Sequence, residues 1–186
     1  TAAALCIPYI TLYVFSTENW KRTEEEVGFL MGLIKKHLRA ELAFYAENSI
    51  RVRHIGNAAA LPRDIQAVIT DITAKTAHYT GTTVQLAINY GGRDEIIRAA
   101  RKLSNKQLDA LTEADFEQLL DTAGIPPVDL VIRTGGEKRL SNFLLWQTAY
   151  AEFYNTDVLW PDFTSAHFME ALDSYAKRTR RFGGIV

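Results

Sequence analysis

The residues able to do chemistry in this sequence collect behind apolar, β-branched stretches. Ser16, Asn19, Trp20 and Arg22 follow the first such stretch. Asn89-Tyr90-Gly91-Gly92-Arg93 follows another, and Arg133-Thr134-Gly135-Gly136-Glu137-Lys138-Arg139-Leu140-Ser141-Asn142 a third. Arginine offers a planar fork for phosphate oxygens, Ser and Thr are compact donors, and glycine lets backbone N–H groups come close. Strand ends that bring such residues to one rim would hold phosphate. Each group also has a plainer use. The glycine pairs can be strand-end turns, Arg133 a surface ion pair, Ser141 and Asn142 helix caps, and Trp20 packing. Arg133 directly follows Val131-Ile132, which makes it a partly buried arginine in need of an anion. Glu18, Glu137 and Glu152 are carboxylates near the same rim. His37, His54, His78 and His167 are scattered without metal-ligand spacing and read as structural or solvated. Neither a Walker A loop nor a GxGxxG fingerprint is present. Residue chemistry alone therefore reaches a phosphate-binding α/β domain.

The elements that must position these residues follow from periodicity. Ile7 to Phe15 reads as a buried strand with Pro8 at its start. Thr23 followed by Glu26 is a helix-capping pair, and acids crowd the first turn. Val27, Leu30, Ile34, Leu38, Leu42 and Tyr45 recur at three- and four-residue steps, which predicts one long amphipathic helix to about Asn48. Ile50 to Ile55 alternates as a half-exposed strand ended by Gly56-Asn57. Pro62 opens a second helix with Ile65, Val68, Ile69 and Ile72 on one face. Thr82 to Tyr90 is a strand, Asp94 starts a helix, and Thr112 to Leu120 is a short helix. Val128 to Ile132 is a strand after Pro126-Pro127, and Leu140 to Tyr150 a short helix. Glu152 to Leu159 contains a last strand, and Pro161 with Thr164 introduces a final helix ending near Arg181. Strands alternating with helices imply a mostly parallel sheet flanked by helices. Ligands bind beyond the carboxyl ends of such strands.

Composition bounds this picture. The 186 residues suit one α/β domain. Lys plus Arg is 21 and Asp plus Glu is 22, giving a net charge of −1. That balance excludes a wholesale polyanion binder, so nucleic acid is not an expected partner. A single cysteine, Cys6, excludes internal disulfides and Cys-rich metal sites. No apolar stretch approaches the roughly 20 residues that span a bilayer. Thr1 is not a natural start, and sequence upstream of it is expected.

Several long motifs occur in order: Phe15-Ser16-Thr17-Glu18-Asn19-Trp20-Lys21-Arg22, Asn89-Tyr90-Gly91-Gly92-Arg93, Asp129-Leu130-Val131-Ile132-Arg133-Thr134-Gly135-Gly136-Glu137 and Leu140-Ser141-Asn142-Phe143-Leu144-Leu145-Trp146-Gln147. Tyr150-Ala151-Glu152, Trp160-Pro161 and Arg180-Arg181-Phe182-Gly183-Gly184 complete the series. Together they closely resemble the cis-prenyltransferases, in particular the bacterial undecaprenyl diphosphate synthases, over essentially the whole chain. The resemblance implies an α/β fold with a parallel central sheet and an apolar tunnel between sheet and helices. It implies a homodimer that uses magnesium to condense isopentenyl diphosphate units in cis onto an allylic diphosphate, usually farnesyl diphosphate. The product would be a long polyprenyl diphosphate, such as undecaprenyl diphosphate, the lipid carrier of cell-wall synthesis. The expected location is cytoplasmic, with peripheral contact at the inner membrane face for product release.

By motif, Arg133, Arg139 and Ser141 match residues that hold the isopentenyl diphosphate group. Glu152 matches a magnesium-associated carboxylate. Ser16 and Asn19 match a strand-end group implicated in catalysis, and Trp20 and Arg22 one that binds substrate. Trp20 and Glu26 fall on a stretch that closes over substrate in the family, where Thr23 replaces a common proline. The Arg180–Gly184 tail matches a motif that supports diphosphate binding or the dimer. Family members begin with a strand, a loop bearing Asp-Gly-Asn-Gly-Arg-Trp, and a helix. The catalytic aspartate is therefore expected upstream of Thr1, and this stretch alone is expected to be inactive. The alternative is a non-catalytic subunit of a heteromeric prenyltransferase; retention of the arginines argues against it.

Overall fold

The structure is a computed structural model that describes residues 1–104 and 108–178. These divide into two compact units, Thr1–Ile125 and Pro126–Val186. The first unit contains β1 (Tyr9–Ser16), α1 (Glu24–Ala40), α2 (Leu42–Glu47), β2 (Arg51–Ile55), α3 (Arg63–Thr76), β3 (Thr83–Tyr90), α4 (Gly92–Ala100) and the short α5 (Glu113–Glu117). Its three strands form a parallel sheet in the order β1-β3-β2. Parallel neighbours need crossover connections, which α1, α2 and α3 supply. Val52, Leu86, Ile88 and Phe15 from the sheet pack with Met31, Ile34 and Leu38 of α1 and with Ile65, Val68, Ile69 and Ile72 of α3 in one buried cluster. The helical periodicity of the sequence is thus the core-facing stripe of α1 and α3.

The start of α1 follows its local signal. The Thr23 hydroxyl accepts the Glu26 N–H at 3.3 Å, and the Glu26 carboxylate accepts the Thr23 N–H at 3.3 Å. The predicted single helix to Asn48 is two helices, broken at Glu41, where ψ is 0°. Leu42 and Tyr45 stay in phase with the core stripe across the break, which is why the apolar pattern does not reveal it.

The second unit contains β4 (Leu130–Arg133), β5 (Glu152–Asn155) and α6 (Ser165–Ala176). The two strands pair in parallel, with Leu130 opposite Glu152 and Arg133 opposite Asn155. The predicted helix over Leu140 to Tyr150 is absent; the segment is a series of turns. Ser141, Asn142 and Leu144 have φ of 50°, 65° and 46°. A left-handed residue cannot continue a right-handed helix, and three within four positions prevent one from starting. The last strand stops at Asn155 rather than near Leu159, and α6 stops at Ala176 rather than near Arg181. The Arg180–Gly184 motif lies outside the described residues. Among the described residues no helix is long and apolar enough to cross a membrane.

Candidate functional site

In the first unit the strand ends converge as expected for a parallel sheet. Two compensating irregularities shape this edge. Val14 is an extra residue on β1 between the Tyr13–Ala87 and Phe15–Ile88 pairs, and Asn89 is an extra residue on β3 before the Ser16–Tyr90 pair. Such bulges re-aim side chains at the end of a strand. Here they turn Phe15 into the core, 1% exposed, and bring Ser16 level with Tyr90. Asn89 takes the left-handed conformation, with φ of 53°.

Ser16 and Asn19 hold one another. The Ser16 N–H donates to Asn19 Oδ1 at 2.8 Å, and the Ser16 hydroxyl accepts the Asn19 N–H. Together they cap a short 3-10 turn over Thr17–Lys21 that carries Trp20. Among the described residues the amide NH₂ of Asn19 and the guanidinium of Arg22 make no hydrogen bond, so both are open to a ligand. Glu26 is engaged in capping α1. Trp20 donates from Nε1 to Asn89 Oδ1 at 2.7 Å and packs edge-on against Phe15 with ring centroids 5.1 Å apart.

Sequence reasoning missed the other residues at this edge. A pocket of about 340 Å³ is lined by Thr17, Trp20, Asn57, Ala60, Asn89 and Asp94. Asn57 lies just past the carboxyl end of β2, as Ser16 closes that of β1, and that position alone could have nominated it. Gly56 explains how the β2 exit comes so close. Its φ is 119°, and a Cβ there would lie 2.4 Å from the Ile88 carbonyl oxygen and 2.8 Å from that of Asn89. Beneath the pocket, Tyr90 donates to Glu95 at 2.5 Å. Burial, then the Glu95 carboxylate, pushes the Tyr90 phenol far above its ordinary range. Glu95 also accepts the Asp121 N–H at 2.9 Å, and Asp121 grips Arg98 through two bonds of 2.7 and 2.6 Å and accepts the Gly56 N–H at 2.8 Å. This network raises the Arg98 pKa, chiefly through its bond to Asp121, and locks the exits of β2 and β3 together.

The second unit presents Arg133 at the carboxyl end of β4. Its Nε is buried without a hydrogen-bond partner. Among the described residues no ion pair engages its guanidinium, which leaves a half-buried cation open to an anion. The nearby Gly135 and Gly136 have φ of 78° and 73°, but their N–H groups donate to the carbonyls of Val158 and Thr156, each at 2.9 Å. Those donors close a turn, so they are not directed at phosphate as the sequence suggests. Arg139 pairs with Glu137 at the surface. Ser141 lies in the left-handed stretch, a kind of strain that clusters at functional sites.

Glu152 belongs to the other strand of this ribbon. It begins β5, level with Leu130, so it sits at the opposite end of the ribbon from Arg133, about 10 Å along the strand at roughly 3.3 Å per residue. Its carboxylate accepts Arg178 at 2.6 Å, and Arg178 also donates to the Phe153 carbonyl at 2.8 Å. Among the described residues no group of three or more His, Cys, Asp or Glu could hold a metal ion.

Comparison with known proteins sets these features in a family. Residues 1–183 match the family described as "Putative undecaprenyl diphosphate synthase". An isoprenyl transferase of Treponema denticola is 64% identical over 96% of this chain and 79% of its own length. One of Treponema pallidum is 54% identical over 98% of this chain and 83% of its own length. Among solved structures, a probable undecaprenyl diphosphate synthase from Campylobacter jejuni matches with a TM-score of 0.88 at 39% identity, covering 98% of this chain and 86% of that one. Lavandulyl diphosphate synthase from Lavandula x intermedia, in complex with dimethylallyl diphosphate, matches with a TM-score of 0.94 at 38% identity, covering 98% and 82%. With its α/β fold, parallel strands and strand-end motifs, the chain belongs to the undecaprenyl diphosphate synthase family of cis-prenyltransferases.

Proposed function

We propose that this single-domain cis-prenyltransferase condenses isopentenyl diphosphate units in cis onto an allylic diphosphate, with farnesyl diphosphate as primer. The product is a long polyprenyl diphosphate of the undecaprenyl class, a lipid carrier for cell-wall synthesis. The observation that carries this reading is Arg133: a half-buried guanidinium, bare of partners, at the end of a parallel strand. A diphosphate supplies the missing charge and acceptors. Arg139 and Ser141 add a second fork and a hydroxyl, provided Arg139 exchanges its Glu137 partner for substrate. In the first unit Arg22 and the Asn19 amide offer donors for the allylic diphosphate. The dimethylallyl diphosphate bound in the Lavandula relative supports an allylic diphosphate as the substrate class.

In the reaction the allylic carbon–oxygen bond breaks and the diphosphate leaves with the electron pair. The isopentenyl alkene forms the new carbon–carbon bond and then loses a proton. Arg22 and the Asn19 amide stabilise charge that grows on the leaving allylic diphosphate, Arg133 and Arg139 hold the isopentenyl diphosphate, and the Trp20 segment excludes water. A mostly apolar groove of about 310 Å³, lined by Trp20, Val27, Gly28, Met31 and Pro62 with Arg22 and Glu24 beside them, suits the prenyl tail.

The described residues do not form a magnesium cage, since Glu152 is engaged by Arg178 and no acidic cluster stands nearby. Magnesium remains what the resemblance implies, and no step of the condensation is assigned to it. We place the enzyme in the cytoplasm as a homodimer with peripheral contact at the inner membrane face.

The test is transfer. Full-length protein, labelled isopentenyl diphosphate, farnesyl diphosphate and magnesium should yield labelled, solvent-extractable prenyl diphosphate. Substrate binding without any transfer would refute the reading and favour a non-catalytic subunit.

A further inference from the structure

Trp20 is a shared wall. Its indole lines the polar pocket with Thr17, Asn57 and Asp94, and also the apolar groove with Val27, Gly28 and Met31. The ring is 39% exposed, and its contact with Phe15 is edge-on. An edge contact of this kind constrains rotation weakly. The directional restraint is the 2.7 Å bond from Trp20 Nε1 to Asn89 Oδ1.

Asn89 is built to supply that restraint. It is 3% exposed, and both the oxygen and the nitrogen of its amide are engaged. Oδ1 accepts from Trp20, while Nδ2 donates to the Asn57 carbonyl at 2.8 Å. Its backbone carbonyl accepts the Asn57 N–H at 3.0 Å. The donor role of Nδ2 fixes which way the amide faces, so Oδ1 must point at the indole. The left-handed backbone at Asn89 is one that Asn tolerates better than most residues. A residue in the phosphate-like Asn-Tyr-Gly-Gly-Arg motif thus uses its side chain on protein groups.

We propose that Asn89 is a positioning residue: its amide holds the Trp20 indole against the apolar groove, and loss of that bond lets the ring swing into the neighbouring polar pocket and widens the groove. The proposal rests on the groove holding the prenyl tail. The pocket that the indole shares with Thr17, Asn57 and Asp94 provides the room, about 340 Å³. Release of the indole should loosen primer binding while leaving the bond-forming groups in place. The effect therefore belongs in KM more than in kcat.

The experiment uses full-length protein in which every tryptophan but Trp20 is replaced by Phe, Trp146 and Trp160 included, so that quenching reads Trp20 alone. Asn89→Gly keeps the left-handed backbone and removes the amide. Asn89→Asp keeps an acceptor for the indole. Asn89→Gly should at least double acrylamide quenching of Trp20 and raise the KM for farnesyl diphosphate about tenfold, as expected for one lost hydrogen bond, with kcat within about threefold. Asn89→Asp should stay near the parent in quenching. Trp20→Phe, which lacks the donor, should raise KM similarly, and Asn89→Gly should add nothing to it. If Asn89→Gly fails to fold, Trp20→Phe alone decides the matter: a KM within twofold of the parent would overturn the proposal. Quenching and KM within twofold of the parent in Asn89→Gly, or additive KM penalties in the double variant, would overturn the proposal. A parent protein that does not bind farnesyl diphosphate defeats the functional reading instead, and the quenching comparison still judges the Asn89 bond.

Discussion

Replacing Arg133 with alanine separates a binding residue from a structural one. In the unliganded protein the guanidinium has no ion pair and its Nε is buried without a partner. Removing it breaks no bond, so stability should hold: the melting temperature is expected within about 2 °C of wild type, under roughly 1 kcal/mol for a chain of this size. Binding should respond strongly. A charge-assisted bond to a buried or half-buried group contributes about 1.5–3 kcal/mol. Loss of the fork should therefore cost about 2–3 kcal/mol, or roughly 30- to 150-fold in Kd at 1.4 kcal/mol per decade. Isothermal titration with isopentenyl diphosphate and thermal unfolding of the same sample give both numbers. A Kd within twofold of wild type would refute the assignment of Arg133 to the diphosphate. A fall of many degrees in melting temperature would show that the arginine has a structural partner and would remove the premise.

Other outcomes follow from the first unit. Tyr90→Phe deletes the 2.5 Å bond to the buried Glu95 carboxylate and should lower unfolding stability by about 2 kcal/mol in urea titrations. Gly56→Ala puts a Cβ against two carbonyl oxygens at a φ of 119° and should cost about 3 kcal/mol or fail to fold; an unchanged denaturation midpoint would contradict the close approach. Burial lowers the His54 pKa below its ordinary 6.5, with the bond to the Ile88 carbonyl opposing. The unfolded chain then binds the extra proton first, so this contribution is complete above about pH 6.5 and is lost as pH falls through the lower folded value. Stability measured from pH 7.5 to 5 should fall, and His54→Gln should flatten that slope.

What was legible in the sequence was local or periodic. The Thr23–Glu26 cap needs only neighbours three residues apart, and the stripe through Ile34, Leu38, Ile65 and Ile72 follows helical spacing. The strand-end rule correctly brought Ser16 and Asn89 to one edge. Features that depend on backbone hand were not legible. Nothing in the residue types at 140–150 signals that Ser141, Asn142 and Leu144 are all left-handed. Tertiary pairings were hidden as well. Trp20 and Asn89 are 69 residues apart, and the Arg98–Asp121–Gly56 link spans three separate segments. Glu152 was legible as the start of a strand, but its ion pair with Arg178, 26 residues further on, was not.

The most direct test of the proposed reaction is the stereochemistry and length of its product. Full-length protein, farnesyl diphosphate, ¹³C-labelled isopentenyl diphosphate and magnesium should give a polyprenyl diphosphate extended by several isoprene units, with every new double bond cis by NMR. Trans double bonds, or release of diphosphate with no new carbon–carbon bond, would contradict it.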